Sequence, residues 1–389
     1  MAFDSAAEKL LLACIRCALD AVPPGEVLKL AAGIDDWPHF LELASDHCLE
    51  PLAADYLLRS GAVIPDDVSA TLEKSLTGNA RRVFLLSNEL LRLKRLLDDA
   101  GIPAIALKGP VVAHTCYSEP AQRMIGDLDL LIRQSDIDTA IQALERAGYR
   151  DDGDAHLRAC RKAFRRWNNE LAFHHSANRF SVDLHWDFSE AGFAGKLDPN
   201  KLTRRAQPAT VSGVALPALS PRDNLIFLCA HAAKHEWSSL HWLVDICGLI
   251  RQHPGVLNGE PVRDADAMTW AGLLLADFVL EGHVPELAEH CRAAPSSVRV
   301  LASGILSRFR SGGYALEKLP QRLRFLYAVS GGILPAMRSL LAQIAIPREA
   351  DWVSMKIDSP RIFFLYYPWR IARLCRKWLP FNSKASESA

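Results

Sequence analysis

The stretch Gly126-Asp127-Leu128-Asp129-Leu130-Leu131-Ile132 decides how the chain reads. Acids and leucines alternate in it, and residues two apart on a strand point the same way. Asp127 and Asp129 therefore project together, with Leu128 and Leu130 turned to the other face. Further along, Ser181-Val182-Asp183-Leu184-His185-Trp186-Asp187 alternates in the same manner. Asp183, His185 and Asp187 share one face there, while Val182, Leu184 and Trp186 form the core side. If the two strands are neighbours, three carboxylates meet.

Such a meeting is costly. Unit charges about 4 Å apart repel by about 4 kcal/mol at an effective dielectric near 20. A fold tolerates this when a cation neutralises the cluster or when one acid is held protonated. Hard carboxylate oxygens suit Mg²⁺ or Mn²⁺, held together with substrate phosphates. That combination fits in-line phosphoryl displacement. A bare Asp-x-Asp is equally what solvated acids at a strand end look like, so the flanks must decide.

Working outward, Ala104-Ile105-Ala106-Leu107 is a short apolar run between Pro103 and Lys108-Gly109-Pro110, and predicts a buried strand. A helix over Val111–Tyr117 would present free N–H groups to an anion at its start, and Gly109 permits close backbone approach. Asp136 to Ala147 predicts a helix with Ile137, Ala140, Ile141 and Leu144 inward. Residues 156–167 predict another, with Arg158, Arg161, Lys162, Arg165 and Arg166 on its basic side. Leu171–His175 and Phe180–Phe188 predict two strands, with His174 and His175 alternating toward and away from a cleft.

The regions on either side have helical periodicity. Leu86, Leu90, Leu93 and Leu97 lie on one face of a helix over Asn79–Ala100, which Gly101 and Pro103 end. A Pro-rich linker is predicted at about 195–221, helices to about 345, and a further helix within Pro360–Pro380. The chain thus divides into a helical region at 1–78, a core at 79–194, a helical region at 195–382 and a disordered tail at 383–389.

Taken together, ALKGPVVAHTCY, RMIGDLDLLI, LERAGY and VDLHWDF resemble the polymerase-β-like nucleotidyltransferase superfamily. The likeness is greatest to a bacterial group usually described as uncharacterised nucleotidyltransferases. It covers roughly residues 80–250, and HAAKHEWSSLHWLVDICGLI resembles the helical region that follows in those proteins. The resemblance implies an α+β fold, with a small mixed β-sheet between helical N- and C-terminal regions. It implies that Asp127 and Asp129 hold a metal–triphosphate, and that Asp183 completes the Mg²⁺ (or Mn²⁺) site and helps activate an acceptor hydroxyl. The implied reaction moves an NMP from an NTP to an acceptor, which stays unidentified. Lys108-Gly109 stands where wider members carry Gly-Ser, so Lys108 either replaces the serine's phosphate contact or marks a changed nucleotide pose or a lost activity. The runner-up is a non-catalytic nucleotide sensor or scaffold on this fold.

Other candidates carry two readings each. Arg123 is either a bidentate phosphate clamp or a surface arginine. His231, His235 and Asp245 give a zinc or second metal site, hence a metal-dependent phosphohydrolase; alternatively Lys234 and His235 line the nucleotide cleft, or the group is simple helix packing. The spacing lacks the Glu of a His-Glu-x-x-His site. Trp237 and Trp242 read as core or interface residues.

Composition excludes little and adds no partner. Lys plus Arg and Asp plus Glu each total 45, so no global charge favours nucleic acid or an anionic surface. There is no basic–aromatic recognition motif, no phosphate-binding GxxxxGK[ST] loop and no GxSxG elbow. No apolar run reaches the length of a membrane span. The first residues, MAFDSAAEKL, lack an apolar signal core, so a cytoplasmic protein with reduced thiols is expected. Nine cysteines are scattered along the chain, and Cys14 and Cys17 read as one buried helix side rather than a redox pair.

Overall fold

The structure, a computed structural model, describes residues 5–151, 168–175, 180–188, 197–258, 266–310, 319–330, 332–347 and 359–378, with a few single positions between. The basic helix read at 156–167 and the tail at 383–389 fall outside the described residues, Arg165 excepted.

Four helices open the chain: α1 (Ala6–Ala18), α2 (Pro24–Ala31), α3 (Trp37–Asp46) and α4 (Glu50–Ser60). A capping box starts α1, with Ser5 and Glu8 exchanging side-chain-to-backbone bonds. Cys14 and Cys17 are buried on α1, and burial raises both thiols, so they pack as small apolar groups. Helix α5 (Asp66–Asp99) is 34 residues long. Its first half packs on the opening helices through Val68 and Leu72. Its second half packs under the sheet through Leu86, Leu90, Leu93 and Leu97.

Among the described residues the sheet has seven strands: β1 (Ile105–Ala106), β2 (Leu128–Leu131), β3 (Tyr149–Asp151), β4 (Glu170–His175), β5 (Ser181–His185), β6 (Gln207–Val211) and β7 (Val214–Ala218). Their order is β3-β4-β5-β2-β1-β7-β6. The pairs β2–β5 and β1–β7 are parallel and the rest antiparallel, so the sheet is mixed and the fold α+β, as the sequence implied. Helix α6 (Pro110–Cys116) follows β1 directly, and α7 (Ile137–Arg146) follows β2.

The two faces of the sheet differ, as alternation predicts. Leu128, Leu130, Val182, Leu184 and Trp186 are buried with the second half of α5 and with α7. The opposite face is apolar at one end only, where Ile105, Leu107 and Leu131 meet Leu202 and Phe227. Asp129 and Asp183 lie beyond that patch on the same face.

The predicted linker at 195–221 is corrected. It contains α8 (Pro199–Arg205) and the β6–β7 hairpin, and β7 extends the sheet by pairing Ala218 with Ala106. Ser212 and Gly213 both have positive φ, which suits the tight two-residue turn between Val211 and Val214. Pro208 and Pro217 face each other across the hairpin, and Pro208 is tolerated because β6 is the edge strand.

Helices α9 (Pro221–Lys234) and α10 (His241–Gln252) then cross the open face. They share one apolar core with α1–α4 and with α11 (Ala267–Leu280), so the helices from both ends of the chain form a common body. Further helices continue to Ala345, and a last one, Tyr366–Trp378, packs back through Tyr366 against the sheet core. No helix among the described residues is long and apolar enough to cross a membrane.

Candidate functional site

Between the open sheet face and α9–α10 lies a cleft of about 390 Å³. The strand register builds its floor. In the parallel pair, Asp129 stands opposite Asp183 and Leu131 opposite His185. On the other side of β5, Glu170 stands opposite His185. Asp127 sits just before β2 rather than within it, so its side chain is 35 % exposed where that of Asp129 is 1 %.

These groups form a chain of alternating charge. Lys108 Nζ is 3.3 Å from Asp127 Oδ1 and 3.0 Å from Asp129 Oδ2. His185 Nε2 is 3.0 Å from Asp129 Oδ1, and its Nδ1 is 3.0 Å from Glu170 Oε2. Lys234, from α9, approaches Glu170 Oε1 at 3.6 Å. Burial alone would raise the Asp129 carboxyl, but Lys108 and His185 hold it well below the usual range. For Asp183, burial together with Asp129 outweighs the opposing effect of His185 and pushes it up to about 6. Burial opposes the charge on His185, yet Asp129 and Glu170 raise it. Among the described residues, one group has metal-ligand spacing: Asp129, Asp183 and His185, with ligand atoms within 4.8 Å of one another.

The backbone around the acids is held from two sides. Gly109 has φ +62°, and a Cβ there would lie 3.1 Å from the Asp127 carbonyl oxygen, so the turn after β1 packs directly on the Asp127 backbone. The helix after it does begin at Pro110, but Pro110 removes one of the N–H groups expected there. From α5, Asn79 Nδ2 donates to the carbonyls of Ala121 and Arg123, at 2.6 and 3.0 Å. Arg82 donates to those of Ile125 and Gly126. The loop leading into Asp127 is thereby pinned to the long helix.

Arg123 is not a surface arginine: it is buried in the wall of the cleft. Its guanidinium is buried and donates from Nε and Nη2 to the two oxygens of Asp245, at 2.8 and 2.7 Å. Tyr117 adds a hydroxyl donor to Asp245 Oδ1 at 2.7 Å. Asp245 can come this close because Gly248, one turn along α10, lies against Cys116; a Cβ there would sit 2.3 Å from the Cys116 carbonyl oxygen.

The zinc reading of His231, His235 and Asp245 is corrected by the same contacts. Asp245 is spent on Arg123 and Tyr117, and the three residues form no metal-spaced group. The two histidines instead join an aromatic wall. His231 and His235 rings are 4.8 Å apart, and His235 stacks on Trp242 at 5.0 Å with planes 13° apart. Burial and Lys108 keep His231 well below the usual histidine range, hence neutral. Lys234, His235 and Trp242 all line the cleft, whereas Trp237 is a core residue. His174 and His175 are both absent from the cleft lining; His175 packs on Tyr149 at the sheet edge.

A profile of the family described as "uncharacterised nucleotidyltransferase" matches residues 34–277. The chain belongs to this family. The match runs from α3 to α11, and so takes in every described strand and both helices that wall the cleft. No curated protein and no solved structure matches the chain. Within this family member the sequence missed Glu170 and His241 of the cleft lining and the pinning pair Asn79 and Arg82. Only Glu170 left a signal: it directly precedes the strand predicted from Leu171, at a position that alternates onto the acidic face.

Proposed function

We propose that the protein transfers an NMP from an NTP to an acceptor hydroxyl or phosphate, with pyrophosphate as the second product. The observation that carries this is the β2–β5 register: it sets Asp129 beside Asp183, with Asp127 at the cleft mouth. The donor set fits a hard divalent ion, because carboxylate oxygens of two strands converge and a third acid stands next to them. Asp127, Asp129 and Asp183 would hold Mg²⁺ or Mn²⁺, which when bound neutralises triphosphate charge and polarises the α-phosphate.

The chain's own groups supply the rest. Asp183, beside Asp129 on the cleft floor, is placed to take the proton from the acceptor hydroxyl as the oxygen bonds to the α-phosphorus and the bond to the bridging oxygen breaks. Lys108 and Lys234 stand on two sides of the cleft and offer point charges to phosphate oxygens. The stacked His235–Trp242 pair offers a flat face to a base. His231 Nε2 and Trp242 Nε1 are buried with no hydrogen-bond partner among the described residues, which leaves them polar capacity for a ligand. Catalysis on this reading is positioning and charge neutralisation.

The test is turnover of labelled NTPs over a panel of acceptors, for wild type, Asp127→Ala and Asp129→Ala. Each variant is expected to lose at least about 10²-fold in rate, the scale of losing one preorganised electrostatic group. Undiminished turnover in both would overturn the assignment. A non-catalytic nucleotide sensor is the second reading, favoured by Lys108 lying between the two acids. Calorimetric binding of NTP with Mg²⁺ but no turnover on any acceptor would select it.

A further inference from the structure

The place where Asp127 and Asp129 would share a metal ion already has a cation beside it, the Lys108 ammonium. Asp129 has a protein partner on each oxygen: His185 Nε2 at Oδ1 and Lys108 Nζ at Oδ2. The second contact of Lys108 is Asp127 Oδ1, the half-buried acid at the mouth. A second cation brought to the same oxygens would meet the ammonium at close range in a poorly screened site, where like charges repel strongly.

We infer that Lys108 is a resident counter-ion that keeps Asp127 and Asp129 from binding a divalent cation until a triphosphate draws its ammonium away. The inference rests on the nucleotide reading above and concerns the order in which the site fills.

The geometry around Lys108 supports an exchange rather than a fixed plug. Its backbone is anchored: Leu107 N–H donates to the Asp129 carbonyl at 3.1 Å, and Gly109 packs on the Asp127 carbonyl. Its side chain is a flexible four-carbon stem with a single point charge, able to turn about that anchor without backbone motion. The ammonium serves two acids at 3.0 and 3.3 Å rather than saturating one. Lys108, Asp127 and Asp129 all line the same cleft, so the ammonium lies where an incoming phosphate would meet it. When Lys108 moves to a phosphate oxygen, Asp129 Oδ2 and Asp127 Oδ1 are released together. Cation binding is then linked to nucleotide binding, because each favours the same displaced position of Lys108.

The probe is Mn²⁺, followed by loss of the free-ion electron paramagnetic resonance signal. Four samples are titrated: wild type alone, wild type with an α,β-methylene NTP analogue, and Lys108→Ser and Lys108→Gln without nucleotide. Wild type alone is expected to bind Mn²⁺ weakly, and the analogue to tighten binding. Both variants are expected to bind Mn²⁺ about tenfold or more tighter than wild type without nucleotide, since a neighbouring positive charge has been removed. Adding Asp129→Asn to Lys108→Ser should abolish the gain.

Variants no tighter than wild type in the absence of nucleotide would overturn the inference. So would wild type binding Mn²⁺ equally well with and without the analogue after the analogue is shown to bind. Circular dichroism checks folding, and Lys108→Gln reads the same quantity if Lys108→Ser does not fold. Failure of the analogue to bind at all would remove the nucleotide reading, while the nucleotide-free arm would still decide whether Lys108 blocks the cation.

Discussion

Asp129 and Asp245 are each almost fully buried, and each faces a basic side chain at 3.0 Å or less. They are completed differently. Asp245 receives both arms of a planar guanidinium and a tyrosine hydroxyl, and Arg123 spends its remaining donor, Nη1, on the backbone carbonyls of Gly109 and Met124. Every group in that pair is matched. Asp129 divides its oxygens between a lysine and a histidine that each also serve another acid, Asp127 and Glu170. Asp183 stands beside it with burial and a neighbouring carboxylate against its ionisation. Burial and proximity to a cation are alike in the two places. What distinguishes the site from the scaffold is whether the charges balance locally: the Arg123–Asp245 pair closes on itself, and the acidic face does not.

Stability measurements can break this comparison. Arg123→Met strands a buried carboxylate and is expected to lose about 3–5 kcal/mol in urea unfolding. Lys108→Ser is expected to lose roughly 1–3 kcal/mol, because Asp129 keeps His185 and Asp127 faces solvent. Equal losses in the two variants would erase the distinction between scaffold and site.

An intermediate effect tests how the fixed pair is positioned. Gly248→Ala places a Cβ against the Cys116 carbonyl and forces α10 away from α6. A loss of about 1–3 kcal/mol is expected, together with weaker nucleotide binding, since α10 also carries Trp242 of the cleft wall. Unchanged stability would mean that the helix contact carries no constraint.

The last effect is confined to acid and concerns the seam that sets the start of α10. His47 is fully buried, accepts from the Leu240 N–H at Nδ1, and burial lowers it to about 4. The folded state keeps it neutral while the unfolded chain takes up a proton below about 6.5. Its contribution is therefore complete above pH 6.5 and is lost as pH falls toward 4, by up to about 3 kcal/mol. His47→Asn should flatten the stability profile in that window. An identical acid slope in the variant would assign the loss to other groups.

Much of the site was legible from local rules. Alternation along Asp127–Ile132 and Ser181–Asp187 correctly separated the acidic face from Leu128, Leu130, Val182, Leu184 and Trp186. The Leu-Lys-Gly turn and the helix after it were legible from an apolar run stopped by Gly and Pro. The hairpin at 207–218 was lost because two prolines suggested a linker. Its Ser-Gly turn between valines was the stronger signal, and an edge strand accommodates the proline.

The sequence by itself determined which residues of each strand share a face, because side-chain direction in a strand depends only on parity along the chain. It therefore set Asp127 with Asp129, and Asp183 with His185. Only the tertiary structure decided which of these groups meet, and what neutralises them. Asp129 and Asp183 become neighbours through a parallel pairing of distant strands. Arg123 meets Asp245 across 122 positions of chain, and that contact took up two nitrogens of an arginine read from sequence as a phosphate clamp and dissolved the predicted zinc site. Lys108 came to rest between two acids for the same reason: a charge pairs with whatever the fold brings near it, and distance along the chain does not say what that will be.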